Sequence, residues 1–196
     1  MTAQAGGTAN PLAARKRALR QQLRQARAAI PRSERRRAAQ AAARHLALAC
    51  RRWQARYIAL YLGVPEEIDT RPLIAALRGA RLYAPRLGPG RNLRFSRLAP
   101  PLVANRYGVH EPAALRRPAR LDLIVLPLVA FDGGGARLGM GGGYYDRLLA
   151  RRRPFGRPLR VGYAFAAQEV RVVPVSALDA RLDAVVTERG LRWFRR

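Results

Sequence analysis

Apolar residues recur at helical intervals in the first quarter of the chain. Leucine and alanine, followed by Ile30, recur at helical intervals with arginines on the other faces, and this spacing predicts a helix over residues 12–29. Pro31 interrupts the pattern, and Ser33 is a suitable N-cap for a second helix that continues to about Cys50. The pattern therefore predicts a hairpin of two helices, preceded by a flexible tail over residues 1–11.

Beyond the second helix, short apolar runs replace the helical spacing. Runs of this length that are bounded by glycine, proline or charged residues are typical of buried strands. We predict strands over residues 57–62, 81–84, 121–126, 160–164 and 184–187, and a short edge strand over 93–98. We expect further helices over 70–78 and 144–152, and an irregular loop over the proline-rich stretch 99–120.

Strands that alternate with helices favour a three-layer α/β/α fold with a largely parallel sheet. The sequence shows no internal repeat and no linker, so residues 12–196 are expected to form one domain. No run of about 18 uncharged apolar residues is present, and no apolar segment follows a charged start, so neither a membrane span nor a secretory signal is expected. The single cysteine, Cys50, excludes an internal disulfide framework and fits a reducing cytoplasm.

Charge is the second feature of the chain. It carries 38 Lys+Arg against 12 Asp+Glu, for a formal net charge of +26, and Lys16 is its single lysine. Such an excess favours anionic partners, which include nucleotides, polyanionic cofactors and nucleic acid. Near-complete replacement of lysine by arginine is equally typical of a GC-rich genome, in which case the excess charge is solvated surface.

A glycine-rich segment carries the clearest chemical signal. Seven of the eleven residues from Gly133 to Gly143 are glycine, and the segment lies between a predicted buried strand and a predicted helix. Ligands bind beyond the carboxyl ends of the strands in open parallel sheets, and glycines there let backbone N–H groups approach an anion. The segment therefore predicts a phosphate-binding loop, to which Arg137 would add a charge-assisted contact.

Several ordered motifs resemble one family. Residues 137–146, which read Arg-Leu-Gly-Met-Gly-Gly-Gly-Tyr-Tyr-Asp, strongly resemble the loop of the 5-formyltetrahydrofolate cyclo-ligases, also called 5,10-methenyltetrahydrofolate synthetases. The resemblance covers nearly the whole chain and includes residues 16–20, 67–70, 83–86 and 168–183. It implies a fold related to the sugar-phosphate isomerase and CoA-transferase folds. It also implies ATP- and Mg²⁺-dependent conversion of 5-formyltetrahydrofolate to 5,10-methenyltetrahydrofolate, with release of ADP and phosphate.

The resemblance further implies a role for each matching residue. The ATP-binding residues would be Lys16, Arg17, Ala18, Leu19, Arg20, Arg137, Leu138, Gly139, Met140, Gly141, Gly142, Gly143, Tyr144 and Tyr145. The folate-binding residues would be Leu62, Glu67, Met140, Gly141, Gly142, Gly143 and Tyr144. Lys16 and Arg137 would also act in catalysis, and Asp146 and Asp179 would hold Mg²⁺, with Asp183 as a competitor for the second position.

Two other interpretations are open at this point. An RNA- or ribosome-associated protein would explain the charge, although no RNA-binding module is recognisable. A different phosphate-ester enzyme on a related fold, such as a sugar-phosphate isomerase, would explain the phosphate loop. The pairs Lys16/Arg20 and Asp146/Asp179 speak against it. The cyclo-ligase interpretation predicts small-molecule partners and a monomer.

Overall fold

A seven-stranded sheet runs through the protein, and two long helices precede it. The structure is a computed structural model that describes residues 10–90, 92–150 and 158–194. Its helices are α1 (Pro11–Ala28), α2 (Arg32–Arg52), α3 (Arg71–Ala76) and α4 (Tyr144–Leu149), with a short 3-10 helix at Ala166–Gln168. Its strands are β1 (Tyr57–Ala59), β2 (Arg81–Leu87), β3 (Leu93–Arg97), β4 (Leu102–Ala104), β5 (His110–Pro112), β6 (Leu123–Leu126), β7 (Ala130–Phe131), β8 (Arg137–Leu138), β9 (Leu159–Tyr163), β10 (Ala184–Thr187) and β11 (Gly190–Trp193).

The first helix begins earlier than its apolar spacing predicted. The side-chain oxygen of Asn10 accepts a hydrogen bond from the backbone N–H of Leu12 at 3.0 Å, which caps the helix. Pro11 is its first residue, a position where a proline sacrifices no intrahelical hydrogen bond. The predicted tail is therefore wrong at its last residue, and residues 1–9 lie outside the described part of the chain.

The second helix also begins earlier than predicted. Pro31 occupies the N-cap position with an extended backbone (φ −58°, ψ 146°), and Arg32 is the first helical residue. Ser33 is therefore not the cap, because the proline before it already ends the preceding turn. The predicted hairpin of two helices is confirmed.

The strand order of the main sheet is β11-β10-β9-β6-β1-β2-β3. All the inner pairs are parallel, whereas the edge strands β11 and β3 are antiparallel to their neighbours. The largely parallel sheet predicted from the alternation is confirmed. Some bounds differ, since β1 ends at Ala59 and β2 continues to Leu87, where β3 still pairs with it. The strand β11 was not predicted.

Helices cover both faces of this sheet, as the three-layer prediction requires. On one face, α2 and α3 pack on the sheet through buried side chains that include Leu46, Ile58 and Leu73. On the other face, Leu126 and Leu149 belong to a second apolar cluster that includes α4. Each buried leucine contributes about 1.5–3 kcal/mol relative to an exposed one, so these two clusters hold the layers together.

The stretch 99–120 is not the irregular loop that its prolines suggested. The strands β4 and β5 form an antiparallel hairpin within it. The side-chain oxygen of Asn105 accepts hydrogen bonds from the backbone N–H groups of Tyr107 at 2.9 Å and Val109 at 3.2 Å. This side chain organises the turn, and three of the prolines lie outside the paired residues.

The glycine-rich segment has two parts that differ in structure. Gly133, Gly134 and Gly135 form the turn between β7 and β8, where the Asp132 carboxylate accepts hydrogen bonds from the N–H groups of Gly134 (2.9 Å) and Ala136 (3.1 Å). Gly135 has a φ of +76°, and a Cβ there would lie 2.8 Å from the Phe194 ring. The segment is therefore not one continuous loop between a strand and a helix, because its first part is a hairpin turn.

The second part, residues 139–143, leads directly into α4. The sequence predicted that the glycine-rich segment follows the buried strand β6. In the structure, the loop 139–143 follows β8 of the small β7–β8 hairpin instead. The helix ends at Leu149 with Ala150 as its C-cap, shorter than the predicted 144–152, of which the last two residues lie outside the described part.

Candidate active site

Two cations of α1 reach across to distant segments. Lys16 and Arg20 are one helical turn apart and share a face of the helix. The Nζ atom of Lys16 forms an ion pair with Asp179, and the Nε of Arg20 donates a hydrogen bond to the carbonyl oxygen of Gly139 at 2.8 Å. The helix therefore joins the glycine loop 139–143 to the segment that precedes β10.

A second cation–carboxylate pair lies on the other side of this loop. Arg137 is the first residue of β8, and Asp146 lies in the first turn of α4. The Nη2 of Arg137 lies 2.5 Å from the Oδ1 of Asp146. The side chain of Arg137 is 2% exposed, whereas that of Asp146 is 30% exposed, so a ligand can reach the carboxylate more easily than the guanidinium.

The carboxylates of the two ion pairs both act electrostatically on Arg20. Burial lowers the pKa of Arg20, and the carboxylates of Asp179 and Asp146 both oppose that shift, so both act on the same guanidinium. Burial also acts to raise the pKa of Asp179, but hydrogen bonds from Lys16 and Ser176 outweigh it and leave that pKa below its ordinary value. The negative charges of both predicted metal-binding carboxylates are therefore within electrostatic range of Arg20.

The glycine loop packs its backbone closely against these cations. Gly141 has a φ of +102°, and a Cβ on it would lie 3.3 Å from the Cζ of Arg20. The carbonyl oxygen of Gly142 accepts a hydrogen bond from Arg147 at 2.8 Å. Met140 is 47% exposed, so the loop presents its backbone and one apolar side chain outward. Such a surface suits a ligand that is bound through backbone N–H groups.

Other predicted ATP-binding residues contribute less directly. Leu19 and Leu138 pack in an apolar cluster with Leu23, beneath the loop. Arg17 and Ala18 lie on the exposed side of α1. The structure therefore assigns Leu19 and Leu138 a packing role and leaves Lys16 and Arg20 as the α1 side chains that contact the loop or its neighbours.

Glu67 lies in the segment after β1, where its charge acts on Tyr61 of the same segment and on Tyr145 of α4. Its carboxylate accepts a hydrogen bond from the N–H of Val64 at 3.3 Å. Burial raises the pKa of Glu67, and burial together with the negative charge of Glu67 raises the pKa values of Tyr61 and Tyr145. Since Tyr145 belongs to α4, Glu67 lies near the helix that carries Asp146.

A cavity of about 640 Å³ borders the same segment. It is lined by Leu62 and Glu67, by Phe165 at the end of β9, and by arginines of α2. Its volume suits a small-molecule ligand. Its lining includes none of the glycine-loop residues and neither Lys16 nor Arg137.

The hairpin β4–β5 adds two residues that the sequence did not single out. The hydroxyl of Tyr144 accepts a hydrogen bond from Arg106 at 2.7 Å and lies 2.8 Å from the hydroxyl of Tyr107. The rings of Tyr107 and Tyr144 meet edge to face at 6.3 Å. An aromatic residue next to Gly108 in a loop was the available signal, and the prolines around it obscured the hairpin.

Most of the chain matches the sequence profile of one family. The sequence profile described as the 5-formyltetrahydrofolate cyclo-ligase family matches residues 12–188. The chain belongs to this family. The 5-formyltetrahydrofolate cyclo-ligase of Escherichia coli K12 is 44% identical over 140 residues, which cover 66% of this chain and 76% of that protein. The cyclo-ligase of Haemophilus influenzae is 35% identical over 176 residues, which cover 84% and 92%.

A solved structure agrees with this cyclo-ligase assignment. Aquifex aeolicus 5,10-methenyltetrahydrofolate synthetase superposes with a TM-score of 0.80 at 33% identity, over 92% of this chain and 93% of that one. The predicted family, the α/β fold with N-terminal helices and the ligase class are therefore confirmed. The roles of individual site residues stay predictions.

Within the cyclo-ligase fold, Asp183 has a structural position. Its Oδ2 accepts a hydrogen bond from the backbone N–H of Arg160 at 2.8 Å, and the residue is 5% exposed between β9 and β10. Asp179, which pairs with Lys16, is therefore the better candidate for a metal ligand. Among the residues that the structure describes, no group of three or more His, Cys, Asp or Glu side chains is arranged to hold a metal, so any bound cation would need further oxygens from a ligand.

Proposed function

We propose that this cyclo-ligase uses ATP and Mg²⁺ to close 5-formyltetrahydrofolate into 5,10-methenyltetrahydrofolate, with release of ADP and phosphate. The observation that carries the proposal is the meeting of Lys16, Arg20 and Arg137 with one glycine loop and two carboxylates. These groups come from three separate parts of the chain, which are α1, residues 137–146 and the segment before β10. Family membership supports the folate substrate, and the proposal adds the nucleotide, the metal and the steps.

The ATP phosphates would lie between α1 and the glycine loop. Backbone N–H groups of residues 139–143 would approach the phosphate oxygens, because no Cβ fills the space beside Arg20. Lys16 and Arg20 would neutralise the phosphate charge from the helix side. Arg17 on the exposed face would add longer-range attraction only.

The carboxylates of Asp146 and Asp179 fit a magnesium ion. Mg²⁺ prefers oxygen ligands and is usually held by one or two carboxylates together with phosphate oxygens and water. Both carboxylates are partly exposed and both act on Arg20, which suits a shared ligand bound beside that side chain. When bound, Mg²⁺ would neutralise phosphate charge and help align the transferred group. Lys16 and Arg137 would then be released from their carboxylate partners to contact the nucleotide.

The folate would lie on the Glu67 side of the same loop. The carboxylate of Glu67 can accept hydrogen bonds from N–H donors of the pterin ring, and Leu62 would contribute apolar contact. Residues 140–144 border both ligands, with Tyr144 at the start of α4. This arrangement would direct the formyl group towards the terminal phosphate.

The chemistry follows from the weakness of a formamide oxygen as a leaving group. The formyl oxygen attacks the terminal phosphorus of ATP, the bond to ADP breaks, and N5 becomes part of an iminium phosphate. N10 then attacks the formyl carbon and loses its proton, and phosphate departs with the oxygen as the ring closes. Lys16 and Arg137 would stabilise the charge on the transferred phosphoryl group, and the protein would mainly position the reactants.

A spectrophotometric assay tests this function. Purified protein with 5-formyltetrahydrofolate, ATP and Mg²⁺ is expected to produce the methenyl chromophore, and omission of ATP or chelation of Mg²⁺ should abolish it. Product without ATP would contradict the nucleotide step, and ATP binding without product would contradict the substrate.

The proposal also includes a monomeric state and a reducing cytoplasm. The single buried thiol of Cys50 supports the reducing compartment. Light scattering of the purified protein checks the oligomeric state.

A further inference from the structure

The cavity of about 640 Å³ beside Glu67 is lined by more cations than carboxylates. Its charged residues are Glu67 and Asp69, against Arg32, Arg35, Arg36 and Arg71. An excess of positive charge around a cavity attracts an anionic ligand, unless the cations already have partners within the protein. The contacts of each arginine therefore decide whether the cavity can bind an anion.

Two of the four arginines already have partners. The guanidinium of Arg35 donates hydrogen bonds to the backbone carbonyl oxygens of Pro65 and Glu67, the latter at 3.5 Å. It therefore ties α2 to the segment after β1. The Nη2 of Arg71 lies 2.8 Å from the carboxylate of Asp69, so these two charges balance each other.

The other two arginines, Arg32 and Arg36, have no ion-pair or hydrogen-bond partner within the part of the chain that the structure describes. They are four residues apart at the start of α2, which makes them neighbours on one face, about 6 Å apart along the helix axis. Pro31 at the N-cap supplies no side-chain hydrogen bond, so the positive end of the helix dipole adds to their charge. Like charges at this spacing repel, and an anion bound between them would relieve that repulsion.

We propose that Arg32 and Arg36 bind the two carboxylates at the glutamyl end of the folate substrate. The inference rests on the proposed function, in which the pterin ring binds Glu67 and Leu62 of the same cavity. The two carboxylates of a glutamyl group are joined by three carbon atoms, so they can reach two cations that lie about 6 Å apart on successive helical turns. Guanidinium groups bind carboxylates through paired, charge-assisted hydrogen bonds, which suits arginine at both positions.

The cavity also offers apolar contact for the aromatic ring that joins the pterin to the glutamyl group. Ala39, Ile74 and Phe165 line it together with the charged residues. The Cζ of Arg35 lies 5.6 Å from the centre of the Phe165 ring, which holds that wall in place. Polar, apolar and cationic surfaces in one cavity match the three chemical parts of a folate, and the cavity volume suits a ligand of that size.

The first test compares Arg32→Gln, Arg36→Gln and the double variant with Arg37→Gln. Arg37 is the matched control, because it is the next exposed arginine of the same helix but does not line this cavity. At saturating ATP, each single cavity variant should raise the KM for 5-formyltetrahydrofolate about fivefold, and the double variant about 20-fold. Arg37→Gln should stay within about twofold of wild type. Equal increases in all three single variants would overturn the proposal, because they would report the net charge alone.

A neutral analogue of the substrate separates carboxylate binding from a purely structural effect. In the diamide of 5-formyltetrahydrofolate, both glutamyl carboxylates are replaced by uncharged carboxamides. The wild-type KM for the diamide should be about 20-fold higher than for the acid, and the double variant should raise it no further. An undiminished effect of the double variant on the diamide would overturn the proposal.

The wild-type protein alone also gives a decisive comparison, should the double variant fail to fold. Equal KM values of the wild type for the acid and the diamide would overturn the proposal. A wild-type protein that converts neither compound with ATP would instead contradict the proposed function.

Discussion

At the scale of single residues, the cations of the candidate site are already matched with carboxylates. Lys16 pairs with Asp179, and Arg137 pairs with Asp146, although Lys16 and Asp179 lie 163 positions apart in the sequence. The helical spacing of Lys16 and Arg20 was readable from the sequence, because four residues complete about one turn. The contacts of Lys16 with Asp179 and of Arg20 with Gly139 were not readable, because only the fold brings those segments together.

Arg137→Ala should reduce kcat/KM for ATP by about 100-fold, because water cannot replace a preorganised buried cation in the phosphoryl-stabilising role proposed for Arg137. The fold should survive, since the Asp146 carboxylate that loses its partner is 30% exposed and can be hydrated. ATP kinetics and a thermal melt would measure the two effects.

Arg181→Ala is the matched control for this change. Arg181 donates to the carbonyl oxygen of Gly134 at 3.0 Å, in the β7–β8 turn and away from the loop 139–143. Kinetics for Arg181→Ala should stay within about twofold of wild type. Equal losses in Arg137→Ala and Arg181→Ala would show that the segment responds to charge in general, and the catalytic assignment would then fail.

At the scale of elements, the apolar runs predicted strands well where both faces are covered. The strand β6 is buried at every position, so its run of leucine, isoleucine and valine was unambiguous. The edge strand β11 has two exposed and two half-buried residues, which leaves no apolar run to detect. The hairpin β4–β5 depends on the Asn105 side chain, and its fully exposed strand β4 carries no signal of burial.

Gly141→Ala should weaken ATP binding about tenfold or more, because a φ of +102° is unfavourable for alanine and its Cβ would press on Arg20. Gly133→Ala is the control within the same glycine-rich segment, since a Cβ there meets nothing within 4 Å. Calorimetric ATP affinity and a melting curve for both variants would check the prediction. A loss of affinity in Gly133→Ala as large as in Gly141→Ala would mean that the two parts of the segment do not differ in function.

At the scale of the whole molecule, the net charge of +26 is far larger than the site needs. Lys16, Arg20, Arg137 and Arg147 are cations of the candidate site. Among the described residues, no helix is long and apolar enough to cross a membrane. Exposed arginines on α1 and α2 make up part of the remainder. The composition predicted attraction to polyanions in general. It could not distinguish a binding surface from solvated side chains, because net charge does not specify geometry.

We expect nucleic acid to bind this protein weakly and in a strongly salt-dependent way. Phosphate contacts release counterions, so affinity for a mixed-sequence RNA should fall by about 1,000-fold or more between about 50 mM and about 200 mM salt. A fluorescence anisotropy titration at both salt concentrations would measure it, with ATP-dependent turnover recorded in parallel. Tight RNA binding that persists at the higher salt concentration would contradict this expectation and favour a dedicated nucleic-acid surface.

Lys16, Arg20 and Arg27 lie on one face of α1, and this arrangement has a mechanical consequence. Lys16 and Arg27 are eleven residues apart, which places them about 16 Å apart along a single rigid rod. Lys16, at one end of the rod, is proposed to contact the nucleotide. At the other end, the Nη2 of Arg27 lies 3.4 Å from the carboxylate of Glu66, the residue before the proposed folate ligand Glu67. A shift of the helix on arrival of one reactant therefore reaches the other reactant without any intervening joint. Binding of the first reactant should therefore raise the affinity for the second. By linkage, the second should raise the affinity for the first by the same factor.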